Sequence, residues 1–161
     1  MASKFRSTTP WRDKLTKDQP ARIVFVPPGK RGMACHGQVL IPKPIDVDAQ
    51  IRKVRRGRLV TIAQLRERLA RDYGADDTCP MCTGIFIRIT AEAAEEDRRA
   101  GRKRITPWWR VVREDGSLNV KLPGGGRTQR SRLREEGHSF EPARGSKPPR
   151  VVDVQASLTR L

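Results

Sequence analysis

The sequence predicts a mainly helical fold with a small β element, organised as a helix-turn-helix followed by a short wing. Three observations carry that expectation. Residues 61–74 and 80–100 hold apolar residues at helical spacing, separated by the short polar turn "ADDT". β-branched residues gather in brief runs, as in Ile23 to Val26 and "GQVLIP". Asp115-Gly116, a strong turn dipeptide, follows "WWRVV" and could close a small hairpin or wing.

Element by element, residues 1 to about 20 are polar, basic and interrupted by proline, and are expected to be flexible. They open a basic N-terminal extension, residues 1–44, in which the run Ile23 to Val26 stops at Pro27 and Pro28. Whether that run pairs with "GQVLIP" or merely leans on the main domain is left open by composition. The domain proper is expected over residues 45–140. "DVDAQIRKVRRGRL" reads as a short helix with Val47, Ile51 and Val54 on one side, broken at Gly57. Thr61 with Gln64 three residues on forms a capping box, and Ile62, Leu65 and Leu69 continue it as a helix closed by Tyr73 and Gly74. Pro80 suits the first turn of the next helix, where its missing N–H costs nothing. Cys82, Ile85, Phe86, Ile89 and Ala93 mark one face of it, up to about Ala100, with Gly101 as the stop. "RKRITPWWRVV" is then expected to be extended, "REDGSLNVKLPGGG" a loop, and "RTQRSRLREEG" a last helix. Residues 141–161, rich in proline and charge, are expected as a loosely docked tail. Gly124 to Gly126 would let the backbone approach a partner, but no Lys-Ser/Thr follows to hold a nucleotide.

Charge bounds the function. The formal net charge is +16, and such a surplus attracts polyanions, nucleic acid above all. No apolar run is long enough to span a bilayer, and "MASKFRSTTPWRDKL" lacks the apolar stretch of an export signal. A soluble cytoplasmic monomer is expected, nucleoid-associated if bacterial, with double-stranded DNA as the main partner and a repair protein as a possible second. The cations fall in runs: Arg52, Lys53, Arg55, Arg56 and Arg58 before the capped helix, then Arg102, Lys103 and Arg104 after its successor. Arg127, Arg130 and Arg134 share one face of the last helix, whereas the acidic residues of "AEEDRR" largely balance locally. Candidate backbone and groove contacts are therefore Arg55, Arg56, Arg58, Thr61, Thr78, Thr83, Arg88, Arg102, Lys103, Arg104, Arg127 and Arg130. The three cysteines, Cys35, Cys79 and Cys82, are an odd set for a disulfide framework. "CPMC" has half the spacing of a zinc site, but only Cys35 and His36 could complete it, so the pair reads as two small residues opening a helix. No metal and no cofactor is expected.

One motif goes further. "TPWWRVVREDGSL", with the later "GGG" and "LREEGHSF", resembles the DNA-binding domain of the methylated-DNA–protein cysteine methyltransferases. The likeness spans roughly residues 45 to 140 and includes the helix start "RGRLVTIAQLRERL". Pro107, Arg110, Val111, Val112, Gly116, Leu118, Glu136, Gly137 and His138 fall in the family's matching positions. The family flips an alkylated guanine out of the duplex and transfers its alkyl group to a cysteine. Here Trp108 stands in the acceptor cysteine's place and Trp109 in that of its activating histidine. Alkyl transfer needs a thiolate, and an indole N–H only donates a hydrogen bond. Glu136, matching the acidic third partner, is left nothing to orient. Trp-for-Cys is also the mark of the alkyltransferase-like proteins, which bind alkylated guanine without repairing it. The family's gap-filling arginine has no counterpart near "TCPMCTG", and its tyrosine aligns with Ile62. The resemblance thus implies a non-enzymatic DNA-binding protein, with no catalytic residue. A flipped base would enter a pocket of Pro107, Trp108, Trp109 and Arg110, stacking on Trp108 while Arg110 braces the loop or a phosphate. Trp109, adjacent in an extended segment, would point the other way into the core. The alternatives are a basic RNA- or ribosome-associated protein, and a transferase using Cys35, Cys79 or Cys82.

Overall fold

The computed structural model describes residues 8–29, 31–32 and 34–161. The expected flexibility of the N-terminus falls partly on residues 1–7, outside that set. Helix α1, Trp11–Thr16, packs on the long helix that follows later, and its first N–H groups are held there by a carboxylate: Trp11 and Arg12 donate to Glu96 at 2.8 and 3.0 Å. The two β runs do pair. Strand β1, Arg22–Val26, lies antiparallel to β2, Gly37–Ile41, with Val24 opposite Val39.

Helix α2, Pro44–Arg52, buries Val47 and Ile51, with Val54 following in the turn. The two-residue strand β3, Val60–Thr61, leads into α3, Ile62–Tyr73. The Thr61 hydroxyl accepts from Gln64 N–H at 3.1 Å while the Gln64 amide oxygen accepts from Thr61 N–H at 2.9 Å. Gly74, at φ 67°, ends α3 in the left-handed conformation that glycine adopts without strain. Strand β4, Asp77–Thr78, adds parallel to β2, and α4, Pro80–Arg99, crosses the molecule against α1, α2 and α3. A single 3-10 turn, Trp108–Arg110, runs into β5, Val111–Val112, which pairs parallel with β3. Helices α5, Arg127–Glu135, and α6, Val154–Ser157, complete the chain. Helices α3 and α4 with their tight turn form the expected helix-turn-helix in a mainly helical fold with small sheets.

Three expectations are corrected. The buried seam of α4 runs through Thr83, Ile87, Thr90, Ala91 and Ala94; of the predicted stripe Ala93 is buried and Phe86 packs against the core, but Ile85 does not join them. Small residues there let α4 lie close to α1 and α2, and Ile85 is left facing solvent. "TPWWRVV" coils into a 3-10 turn before its strand instead of extending throughout.

The tail is the third correction. Leu59 N–H donates to Ser157 O at 2.9 Å and Thr159 N–H to Leu59 O at 2.8 Å, while Val151 enters a core cluster with Leu59, Val112, Leu118 and Leu133. Removal of residues 141–161 should therefore cost about 3 kcal/mol or more of stability, from exposed apolar surface and orphaned backbone groups. Urea unfolding measures this, and a truncated chain with the parent's midpoint would restore the loosely docked tail.

Candidate nucleic-acid interface

The helix-turn-helix is fixed by local chemistry. Thr78 donates its hydroxyl to Arg66 O at 2.8 Å, and Thr83 donates to Cys79 O at 2.8 Å. Cys79 caps α4, its sulfur accepting from Cys82 N–H at 3.4 Å. Thr61, Thr78 and Thr83 are thus buried and bonded within the fold, which removes them from the groove-facing set. What α4 offers to solvent in its first two turns is different. Met81 is 74% exposed and Ile85 51%, one helical turn apart on the same face. Gly84 lies between them, and a Cβ added there would meet nothing within 4 Å. A helical glycine with no packing demand costs about 1 kcal/mol against alanine, and it leaves a bare strip of backbone.

Charge on α4 is segregated. Residues 80–91 contain no carboxylate, and all four acids lie in the second half: Glu92, Glu95, Glu96 and Asp97. Each is engaged. Glu92 pairs with Arg88 at 3.9 Å, Glu95 with Arg98 at 2.8 Å, and Asp97 with Arg12 at 2.6 Å and Arg102 at 3.0 Å, while Glu96 caps α1. The end of α4 that follows the turn is therefore apolar and free of negative charge, and its helix N-terminus adds a partial positive charge.

The "PWWR" motif sits behind this helix. Trp108 is 0% exposed, its N–H donating to Glu95 Oε1 at 3.0 Å. Glu95 also receives Arg132 at 2.6 Å. Burial opposes ionisation of Glu95, but the hydrogen bonds from Arg132, Arg98 and Trp108 outweigh it and hold the carboxyl at about 2. Trp109 donates to Glu136 Oε1 at 2.9 Å, and the Arg110 guanidinium grips the same carboxylate at 2.7–3.1 Å while giving another N–H to Val54 O at 2.6 Å. Burial again works against ionisation of Glu136, and Arg110, Trp109 and the Gly57 N–H together pull its pKa down. The two indoles meet edge to face, centroids 6.2 Å apart, and the Arg132 guanidinium lies 4.8 Å from Trp109 and 5.4 Å from Trp108.

This arrangement revises the predicted pocket. Pro107 and Trp108 are buried, so Trp108 presents no ring face on which a base could stack. Arg110 braces the loop through Glu136. Trp109 packs against both core clusters, as expected, and its remaining surface lines an open cavity together with Arg56, Arg102, Lys103 and Arg132. Glu136 does have something to orient, since Trp109 supplies an N–H donor where the histidine was expected. Glu95 and Arg132, the two residues that bind Trp108, were missed, because the acids of "AEEDRR" read as locally balanced.

The remaining cations divide. Arg55, Arg104 and Arg127 are exposed. Arg58 is committed to the tail, donating to Ala156 O at 3.3 Å and Leu158 O at 2.7 Å. Arg130 is half-buried over Phe140, 5.5 Å from its centroid. The glycine loop answers to conformation: Gly124, Gly125 and Gly126 all have positive φ, and a Cβ on Gly124 would lie 2.0 Å from the Thr128 hydroxyl oxygen. Leu122, just before them, is buried in the same core cluster as Trp108. Cys35 is buried, and its thiol is pushed up by that burial and by the neighbouring Cys79. The Cys82 thiol is pushed up to about 11, by burial and then by its hydrogen bond with Cys79. Among the described residues no group of three His, Cys, Asp or Glu side chains could hold a metal ion, and no helix is long and apolar enough to cross a membrane.

The fold has solved counterparts. It matches S. pombe Atl1 in a crystal structure with damaged DNA containing O6-carboxymethylguanine, with a TM-score of 0.50 and 16% identity, over 73% of this chain and 94% of that one. It also matches S. pombe ATL in complex with DNA, with a TM-score of 0.52 and 18% identity over the same shares. At such identities the likeness is one of fold. No family model matches the sequence, and no curated protein matches it.

Proposed function

We propose that this chain is a non-enzymatic DNA-binding protein that engages damaged or alkylated duplex DNA; its structural counterpart Atl1 is seen in complex with damaged DNA containing O6-carboxymethylguanine. The observation that carries the reading is the free end of α4. In a fold shared with a DNA-bound protein, the second helix of the helix-turn-helix presents Met81, Gly84 and Ile85 with no carboxylate in residues 80–91. Apolar side chains beside bare backbone suit insertion at the base steps of a groove, with surrounding cations on the phosphates. The net charge of +16 supplies the non-specific attraction.

A lesion can be read here without being repaired. Trp108 cannot accept an alkyl group, and the raised thiols of Cys35 and Cys82 are poor nucleophiles. An extruded base would reach Trp108 only after the chain's own packing around it gives way, Leu122 included. The test is fluorescence anisotropy on matched duplexes with and without O6-alkylguanine at one fixed salt concentration. Tighter binding to the lesion duplex, with an unchanged intact mass afterwards, is expected. Structured RNA outcompeting DNA would favour the RNA-binding alternative, and an alkyl adduct on a cysteine would establish a transferase.

A further inference from the structure

At the other end of α4, about 30 Å along the helix axis from Pro80, lies a cavity of about 420 Å³. It opens between the segment after α2, the C-terminus of α4, the 3-10 turn and α5. Five cations line it, Arg56, Arg98, Arg102, Lys103 and Arg132, against the carboxylates of Glu135 and Glu136. Glu136 is already neutralised by Arg110. Arg98 and Arg132 also pair with Glu95, Arg102 with Asp97, and Arg56 donates to Glu135 O, each through one edge of a guanidinium that carries five N–H donors. Lys103 is exposed and makes no ion pair among the described residues.

The floor of the cavity pairs a cation with an aromatic ring. The Arg132 guanidinium lies over the Trp109 ring at 4.8 Å, with Ile105 beside it. Planar guanidinium and indole both stack on nucleobases, and arginine forks fit phosphate oxygens. A carboxylate side chain would use the rim but leave this floor uncovered.

We propose that this cavity is a second ligand site, which takes a nucleoside phosphate. The base lies against the Arg132 and Trp109 floor, and the phosphates sit among Arg98, Arg102 and Lys103. Two sources share that chemistry, a free nucleotide and a unit of a single strand. The site is separate from the free end of α4 and does not rest on the duplex reading.

Titration of the whole protein, without duplex, with a fluorescent ATP analogue and with fluorescein-labelled (dT)6 tests it and tells the two sources apart. Saturable binding of at least one probe is expected. Lys103→Glu should weaken it about tenfold, whereas Lys121→Glu on an exposed loop should leave it unchanged. Unlabelled ATP should compete better than pyrophosphate or oligoglutamate. No saturable binding, equal weakening by Lys121→Glu, or equal competition by either simple polyanion overturns the site.

Discussion

Gly84→Glu should weaken duplex binding roughly 100-fold without unfolding the protein, because a carboxylate would then face phosphates across a desolvated contact. The position allows a clean experiment. An added Cβ at Gly84 meets no atom within 4 Å, and the residue sits in regular helix. Glutamate is the better helix former by about 0.5–1 kcal/mol, so thermal stability should hold or rise. Gly84→Ala separates the two effects, since it adds the same helix preference with no charge. Anisotropy with a labelled duplex gives the answer. Binding by Gly84→Glu at the parent's affinity would remove α4 from the interface, whatever the fate of the cavity at its far end.

Glu95→Ala should destabilise the fold by about 3–5 kcal/mol, the cost of leaving a buried cation unpaired. Glu95 is the hub behind the tryptophans. Its loss orphans the Trp108 N–H and strips Arg132 of its 2.6 Å partner. For a chain of this length that corresponds to a drop of roughly 6–20 °C in melting temperature. The same carboxylate sets a pH dependence. Its folded pKa, about 2, lies below the unfolded value of about 4.3, so its contribution is complete above about pH 4.3 and is lost as pH falls towards 2. Glu136, shifted in the same direction, adds to that acid sensitivity. Unfolding free energies between pH 6 and pH 2 should therefore slope more steeply for the parent than for Glu95→Ala. Parallel curves would mean that Glu95 carries no such linkage.

What the sequence made legible was the chemistry that acts over three or four residues. The capping box of Thr61 and Gln64, the Gly74 stop and Pro80 at the start of α4 are local devices, and each sits where its spacing places it. The phase of α4 was not legible. Two stripes run along it, one through Ile85 and Ile89 and one through Thr83, Ile87 and Ala91, and periodicity alone favours the more apolar. The choice falls to the second because its small residues admit α1 and α2 at close range, and Thr83 satisfies its own hydroxyl within the helix. The partners of the tryptophans were illegible for a similar reason. Arg132 lies 37 residues from Glu95, and nothing nearby in the chain announces that they meet. The tail looked loose because proline and charge suggest solvent, yet its backbone is what Leu59 needs on both N–H and C=O.

The wiring of the two tryptophans also bears on what a single substitution can do at this motif. Each indole N–H has a carboxylate, and each carboxylate an arginine, so Trp108 and Trp109 are anchored by two circuits that meet at Arg132, which lies against both rings. Replacing Trp109 by histidine would keep an N–H donor for Glu136. Replacing Trp108 by cysteine would open a void of nearly an indole's volume and leave Glu95 and Arg132 facing it. The first change is mild and the second costs about 3–5 kcal/mol, of the order of a large-to-small change in a packed core. A reactive thiol at position 108 therefore demands that α4 and α5 be repacked around it first, which puts it out of reach of a single substitution.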